Sequence, residues 1–347
     1  MYHLFHALES KFSDAVCDSL NGSRNGPASR TARAGHTLLD LALDHDARMA
    51  NQQIYMTGGT GGSGGSTPGA LGGIGYGPTV TLDNNQISSL HIGLEGLDEE
   101  TRKILKWLSP LNFFPKHYET ARARQEETGE WFLQHQQFKS WVTSPKQMVL
   151  VGHGLRTGKT VLSSKVVDYF RQLQTRNHTI GLGFLYLSYK DQSAQDLHNL
   201  LAALWMQLLL NRNINPARAV YNSHKQTETS PSSKEIISQI TALSQQYAVI
   251  YVIIDALDEY VGEKDSLIKT ILQFGLHVKL LVMTGSNDFK YLETQISKLE
   301  ITPDYQDIKK FVMARVESPS HLQILVKNHS TLKEEILDSI TKVADGR

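Results

Sequence analysis

The sequence predicts an α/β fold, a mostly parallel sheet flanked by helices, and three observations carry that prediction. From Gln147 onward, short apolar runs alternate with segments of helical spacing, the pattern of strands joined by crossover helices. Two of the runs, Met148 to Val151 and Val249 to Ile254, are apolar throughout, as strands covered on both faces must be. Each is followed directly by residues that carry chemistry. A loop ending in Gly158-Lys159-Thr160 follows the first, and Asp255 follows the second.

The elements before this block are of another kind. Residues 1 to 56 are expected to form a small helical, partly disordered region of unknown role. Leu4, Phe5, Leu8, Phe12, Val16 and Leu20 stand at three- and four-residue spacing, and a second short helix covers 36 to 49. The polar stretch between them, with Arg24, Arg30 and Arg33, reads as a solvated loop. Residues 57 to 80 are a Gly/Ser-rich flexible linker with almost nothing to bury. Its close-set glycines, Gly72, Gly73, Gly75 and Gly77, have no strand before them and no helix after, so they are not a dinucleotide fingerprint. Residues 98 to 145 form a helical lead-in. One helix ends before Pro110, and a second spans 118 to 142, broken at Thr128-Gly129. Its Trp131, Leu133, Phe138 and Trp141 read as packing against the next domain, or else as a wall beside a bound base.

Within 146 to 347 the alternation runs as follows. A strand at 148–151 leads to a helix at 158–174, a strand at 179–189 and a helix at 194–211. Pro216 marks a variable connection. Ser232 and Glu235 form a capping box before Ile236, Ile237 and Ile240. The strand at 249–254, a helix at 264–274, a strand at 280–283, a short strand at 299–302 and a helix at 304–317 follow. A last helix opens with the capping box Thr331/Glu334. The C-terminal part of this domain is expected to be truncated.

The chemistry sits at the strand ends. Strand, glycine-containing loop, Gly-Lys-Thr and helix is the order of a phosphate-binding P-loop, so the fold class sharpens to a P-loop NTPase. Gly154, Thr157, Gly158, Lys159 and Thr160 would wrap the phosphates at a helix N-terminus. Lys159 would reach the β- and γ-phosphates, and the Thr160 hydroxyl would hold Mg²⁺. His153 stands where the pattern places its first glycine, and Arg156 is a further bulky residue in the loop. Side chains in a loop of unusual dihedrals are expected to weaken phosphate binding. Asp255, at the tip of a buried strand, would bind Mg²⁺, and Asp258 or Glu259 would orient or deprotonate the attacking water. Thr284, at the end of the next strand, would sense the γ-phosphate.

Composition excludes several classes. The 347 residues carry a formal net charge of zero, so no global field draws the chain to nucleic acid or an acidic membrane, and neither partner is expected. Cys17 is the only cysteine, which leaves no intrachain disulfide and no cysteine metal cluster. No apolar run approaches the ~20 residues of a membrane span, and the start has no secretory pattern. The expected location is cytoplasmic. The 14 histidines show no zinc-ligand pairing, no Asn-Lys-x-Asp string is present, and the Gly-Gly-Ser-Gly-Gly string at 61–65 lies in the linker, where it forms no nucleophile elbow.

Asp255-Ala256-Leu257-Asp258-Glu259 and the upstream Thr128-Gly129-Glu130-Trp131, with Phe138 and Trp141, resemble the NACHT-type NTPases of the STAND class. More narrowly, they resemble the nephrocystin-3-like N-terminal module of fungal ankyrin- and WD-repeat proteins. Phe184 to Lys190, and Pro216, Ala217, Tyr221 and His224, add looser likeness, and the resemblance spans about 98 to 347. It implies a slow ATPase switch. ADP would hold a closed form, and ATP with Mg²⁺ would permit self-association or contact with an effector protein. The alternative is an interaction module of the same fold with a degenerate P-loop and little or no hydrolysis.

Overall fold

The computed structural model describes residues 54–56, 80–82, 97–155, 157–210, 212–285, 296–317 and 334. The helices expected at 4–20 and 36–49 lie outside these residues. So do linker residues 57–79 and, but for residue 334, the helix expected from Thr331. Two short strands, β1 (Ile54–Met56) and β2 (Val80–Leu82), pair antiparallel on either side of the glycine-rich stretch.

The main sheet has five strands, all parallel: β3 (Met148–His153), β4 (Ile180–Tyr186), β5 (Val249–Asp255), β6 (Val278–Thr284) and β7 (Ile296–Glu300). Their order across the sheet is β4-β5-β6-β3-β7. The crossover helices include α5 (Lys159–Arg176), α6 (Leu197–Leu209), α8 (Ser233–Ser244) and α9 (Lys264–Leu272), and α10 (Tyr305–Glu317) follows β7. β4 and β6 are buried at every residue, which is why their sequences are largely apolar, Lys279 and Thr284 of β6 being the polar exceptions. All strands being parallel, the loops after β3, β5 and β6 open at one edge of the sheet, the edge where open α/β sheets bind ligands.

The lead-in is part of the same core. It comprises α1 (Glu99–Leu108), α2 (Phe114–Ala123), α3 (Glu130–Gln134) and α4 (Gln136–Thr143). Trp141, Phe138 and Phe132 are buried against α5 and the sheet. The Phe170 ring stacks on Tyr251 at 3.8 Å between centroids, and Trp141 meets both edge-on. Each such buried aromatic contributes roughly 1.5–3 kcal/mol through area removed from water. Lys279 on β6 caps α4 from below, donating to the carbonyls of Trp141 (3.0 Å) and Val142 (2.6 Å). Polar contacts fasten α2 to α5. Buried His117 lies 3.0 Å from Asp168 and 3.0 Å from the Tyr186 hydroxyl, and Arg124 donates to Asp168 at 2.7 Å and to Ser164 at 2.9 Å.

Some expected elements differ. The helix at 118–142 is three helices, because Gly129 takes φ +76° and His135 is extended between α3 and α4. The connection around Pro216 is a helix, α7 (Asn215–Lys225), with the proline in its first turn, where it lacks no needed N–H. The strand at 179–189 stops at Tyr186, and a 3₁₀ turn at Tyr189–Asp191 follows. The last strand begins earlier than expected, at Ile296. The Ser232 cap is present, its hydroxyl accepting from Glu235 N–H at 3.3 Å.

Candidate functional site

The site begins where β3 ends. His153 is a strand residue, in register with Thr284 on one side and Glu300 on the other, and its carbonyl accepts from Ile301 N–H at 2.7 Å. It has no positive φ. The expectation that His153 stands in a loop of unusual dihedrals is therefore corrected, since ladder pairing keeps it extended. The turn falls one residue later, on Gly154, at φ +154°. A Cβ there would lie 2.4 Å from the Ile301 carbonyl oxygen, closer than any side chain tolerates, so only glycine fits. Gly158 closes the loop at φ +79° and starts α5. Arg156 lies outside the described residues.

Lys159 and Thr160 are the first two residues of α5, whose first turn carries no acidic residue. The unpaired N–H groups and positive dipole end of this 18-residue helix favour an anion. The Lys159 ammonium is half-buried and donates to the Gly154 carbonyl across the loop. Burial pulls its pKa below the usual lysine range, while Asp258 and then Asp255 oppose that shift. The Thr157 hydroxyl is buried and has no partner among the described residues. A cation folded onto its own loop and an orphaned hydroxyl are features that a phosphate would satisfy.

Asp255 ends β5 and is 2% exposed. Burial raises its pKa. Hydrogen bonds from Ser163 and Thr160, and the charge of Lys159, act the other way, and Glu259 adds to the rise. Ser163 Oγ donates to Asp255 Oδ1 at 2.7 Å. The Thr160 hydroxyl and the Asp255 carboxylate are hard oxygen donors of the kind Mg²⁺ takes, so the residues present fit that ion. Beyond Asp255 the chain turns sharply at Ala256, which adopts φ +56°, ψ +47°. A non-glycine residue pays about 1–2 kcal/mol for that conformation. The turn buries Leu257 and sets Asp258 and Glu259 on a 3₁₀ turn at the sheet edge.

The two acids have different surroundings. Asp258 Oδ1 accepts from Gly285 N–H at 2.8 Å, which ties the acidic turn to the end of β6. Its backbone carbonyl accepts from the Tyr189 hydroxyl and from Lys264 Nζ, both at 3.2 Å. The Glu259 carboxylate instead accepts from Tyr189 N–H at 3.1 Å, bracing the turn after β4. Thr284 is buried beside His153 because β6 lies between β3 and β5.

Gly154, Thr157, Gly158, Lys159, Thr160, Asp255, Asp258, Glu259 and Thr284 thus share one edge of the sheet. Sequence reasoning missed Ser163, whose only signal is that it follows Thr160 by three residues on one helix face. It also missed Tyr189. The Thr128–Trp131 segment packs against α10 and α5. Gly129 N–H (2.8 Å) and Trp131 Nε1–H (3.1 Å) both donate to Asp307 on α10, and a Cβ at Gly129 would meet Leu162 of α5 at 3.1 Å.

Residues 127–284, just under half of the chain, match the family described as Nephrocystin 3, N-terminal. Among curated proteins none matches. Solved structures similar to this chain include a Drosophila ORC bound to DNA, at 10% identity and a TM-score of 0.35, covering 72% of this chain and 60% of that one. The Aeropyrum pernix ORC2 protein in ADPNP-ADP complexes has 11% identity and a TM-score of 0.34, with 70% and 65% covered. Domain III of the Thermotoga maritima replication initiation protein DnaA has 14% identity and a TM-score of 0.31, with 69% and 93% covered. The chain spans less than two thirds of the first two. Among the described residues no helix is long and apolar enough to cross a membrane. With its parallel sheet, the loop between β3 and α5 and the family match on residues 127–284, the chain has a P-loop NTPase-like fold.

Proposed function

We propose that this protein binds ATP and ADP with Mg²⁺ at the Gly154–Thr160 loop and hydrolyses ATP slowly, as a switch of the NACHT/STAND type. Nucleotide state would govern self-association or contact with an effector protein. The observation that carries the reading is the meeting of Lys159, Thr160, Asp255 and Asp258 at one sheet edge, with Lys159 under the charge of both acids. Backbone N–H groups of the loop and Lys159 would hold the phosphates, and Thr160 and Asp255 would hold Mg²⁺. Bound there, the ion supplies charge neutralisation on the phosphoryl oxygens. Asp258 is the better-placed acid to orient water, because it faces Lys159 and is fixed by Gly285 N–H, whereas the Glu259 carboxylate is engaged by Tyr189. Thr284, beside the loop on β6, would sense the terminal phosphate.

Turnover and sedimentation in ADP and in ATP, measured on the wild type, Asp258→Asn and Glu259→Gln, test this reading. Asp258→Asn is expected to lower turnover about 100-fold or more while keeping ATP binding, the scale of a lost general base. Glu259→Gln is expected to have the smaller effect. Unchanged turnover in both variants contradicts the assignment, and identical sedimentation in ADP and ATP contradicts the switch.

A further inference from the structure

We propose that Ser163 is a positioning residue for Asp255, the hydroxyl that fixes the carboxylate so that its remaining lone pairs face Thr160 and the phosphate loop. This rests on the nucleotide reading above and adds a residue that no motif of the loop contains. Ser163 is 0% exposed, and its Oγ lies 2.7 Å from Asp255 Oδ1. It follows Thr160 by three residues on α5, so both hydroxyls project from one face of the helix onto the end of β5. A hydroxyl has one proton to give, and Ser163 gives it to the acid. The neighbouring Ser164 makes the opposite choice: its hydroxyl donates to the Val161 carbonyl of its own helix at 2.8 Å and receives Arg124. Two adjacent serines are therefore divided between the site and the scaffold. With Ser163 absent, Oδ1 of a carboxylate buried to 2% exposure loses its donor, and the group is free to turn away from Thr160. Metal holding then weakens, while the phosphate contacts of the loop and Lys159 persist.

The test measures ATP affinity in Mg²⁺ and again in EDTA, with thermal unfolding as the check on folding. Ser163→Ala is expected to weaken Mg²⁺-ATP binding about 10- to 100-fold, the scale of a lost hydrogen bond to a charged group. Metal-free ATP binding should stay within about threefold of wild type. Ser163→Thr, which keeps the hydroxyl, is expected to restore Mg²⁺ dependence, and Ser164→Ala to leave it unchanged. In an Asp255→Asn background, Ser163→Ala should add no further loss, since the pair acts as a unit. A wild-type ratio of the two affinities in Ser163→Ala, or an equal loss of both, overturns the proposal. Absence of ATP binding by the wild type in both conditions overturns the nucleotide reading itself, and this inference with it.

Discussion

Asp255→Asn is expected to raise the melting temperature of the ligand-free protein and to remove its Mg²⁺-dependent gain in nucleotide affinity. The carboxyl group is 2% exposed, and burial holds its pKa above the ordinary value of 3.8 despite two hydroxyl donors and Lys159. A carboxyl with a raised folded pKa favours the fold in its neutral form. That stability is present below the unfolded pKa and is lost as pH rises through the folded value. At neutral pH the ionised group is therefore a cost that the amide does not carry. An increase of a few degrees is expected, each kcal/mol being worth about 2–4 °C in a domain of this size. The gap between variant and wild type should be small near pH 4 and widen toward neutrality. Asp307 shifts in the same direction, also through burial. Asp168 goes the other way: burial pushes its pKa up, but the hydrogen bonds and charges of His117 and Arg124 outweigh that and hold it down. Only the difference between wild type and variant, measured by calorimetry across pH, isolates Asp255. A melting temperature lowered by the substitution at pH 7 would contradict this account of the site.

Gly154→Ala is expected to be the most damaging single-methyl change in the loop. The new Cβ would lie 2.4 Å from the Ile301 carbonyl oxygen and 3.1 Å from the Thr157 hydroxyl, at a φ of +154°. Overpacking and backbone strain together cost about 2–4 kcal/mol. Because the Gly154 carbonyl is also the acceptor of Lys159, movement of this residue displaces the phosphate-facing lysine, and ATP affinity should fall at least tenfold. The contrast is His153→Gly, which restores the glycine of the sequence pattern. His153 is paired on both sides, so glycine there should cost about 0.5–1 kcal/mol in strand stability and bring no gain in affinity. Chemical denaturation and ATP titration of the two variants decide the matter, and higher affinity in His153→Gly would contradict the loop described above.

What could be read from the chain alone was what local pattern encodes. The apolar runs Met148–Val151 and Val249–Ile254 are strands, and Lys159, Thr160 and Asp255 stand at their tips, because burial on both faces forces a composition that is visible without tertiary knowledge. What could not be read depends on the order of strands across the sheet. In sequence, β4 separates β3 from β5, whereas in space β6 does so, which sets Thr284 beside His153 and Gly285 against Asp258. The contact of Ser163 with Asp255 likewise requires α5 to lie on β5, which no spacing within α5 reveals. Motif position puts His153 in the loop, whereas ladder pairing to β6 and β7 decides its backbone. Pro216 marks a variable connection in the sequence, yet it stands in the first turn of α7, where its missing N–H costs nothing. Trp131 gives its indole N–H to Asp307, 176 positions later in the chain, a partner that no local pattern predicts.

By the function proposed above, the Gly154–Thr160 loop holds a nucleotide phosphate. Titration of the purified chain with ATP in Mg²⁺, beside Lys159→Ala, tests it most directly. Saturable binding by the wild type and its loss in the variant are expected, both proteins being folded by thermal unfolding. Equal binding by the two, or no binding by either at millimolar ATP, would contradict it.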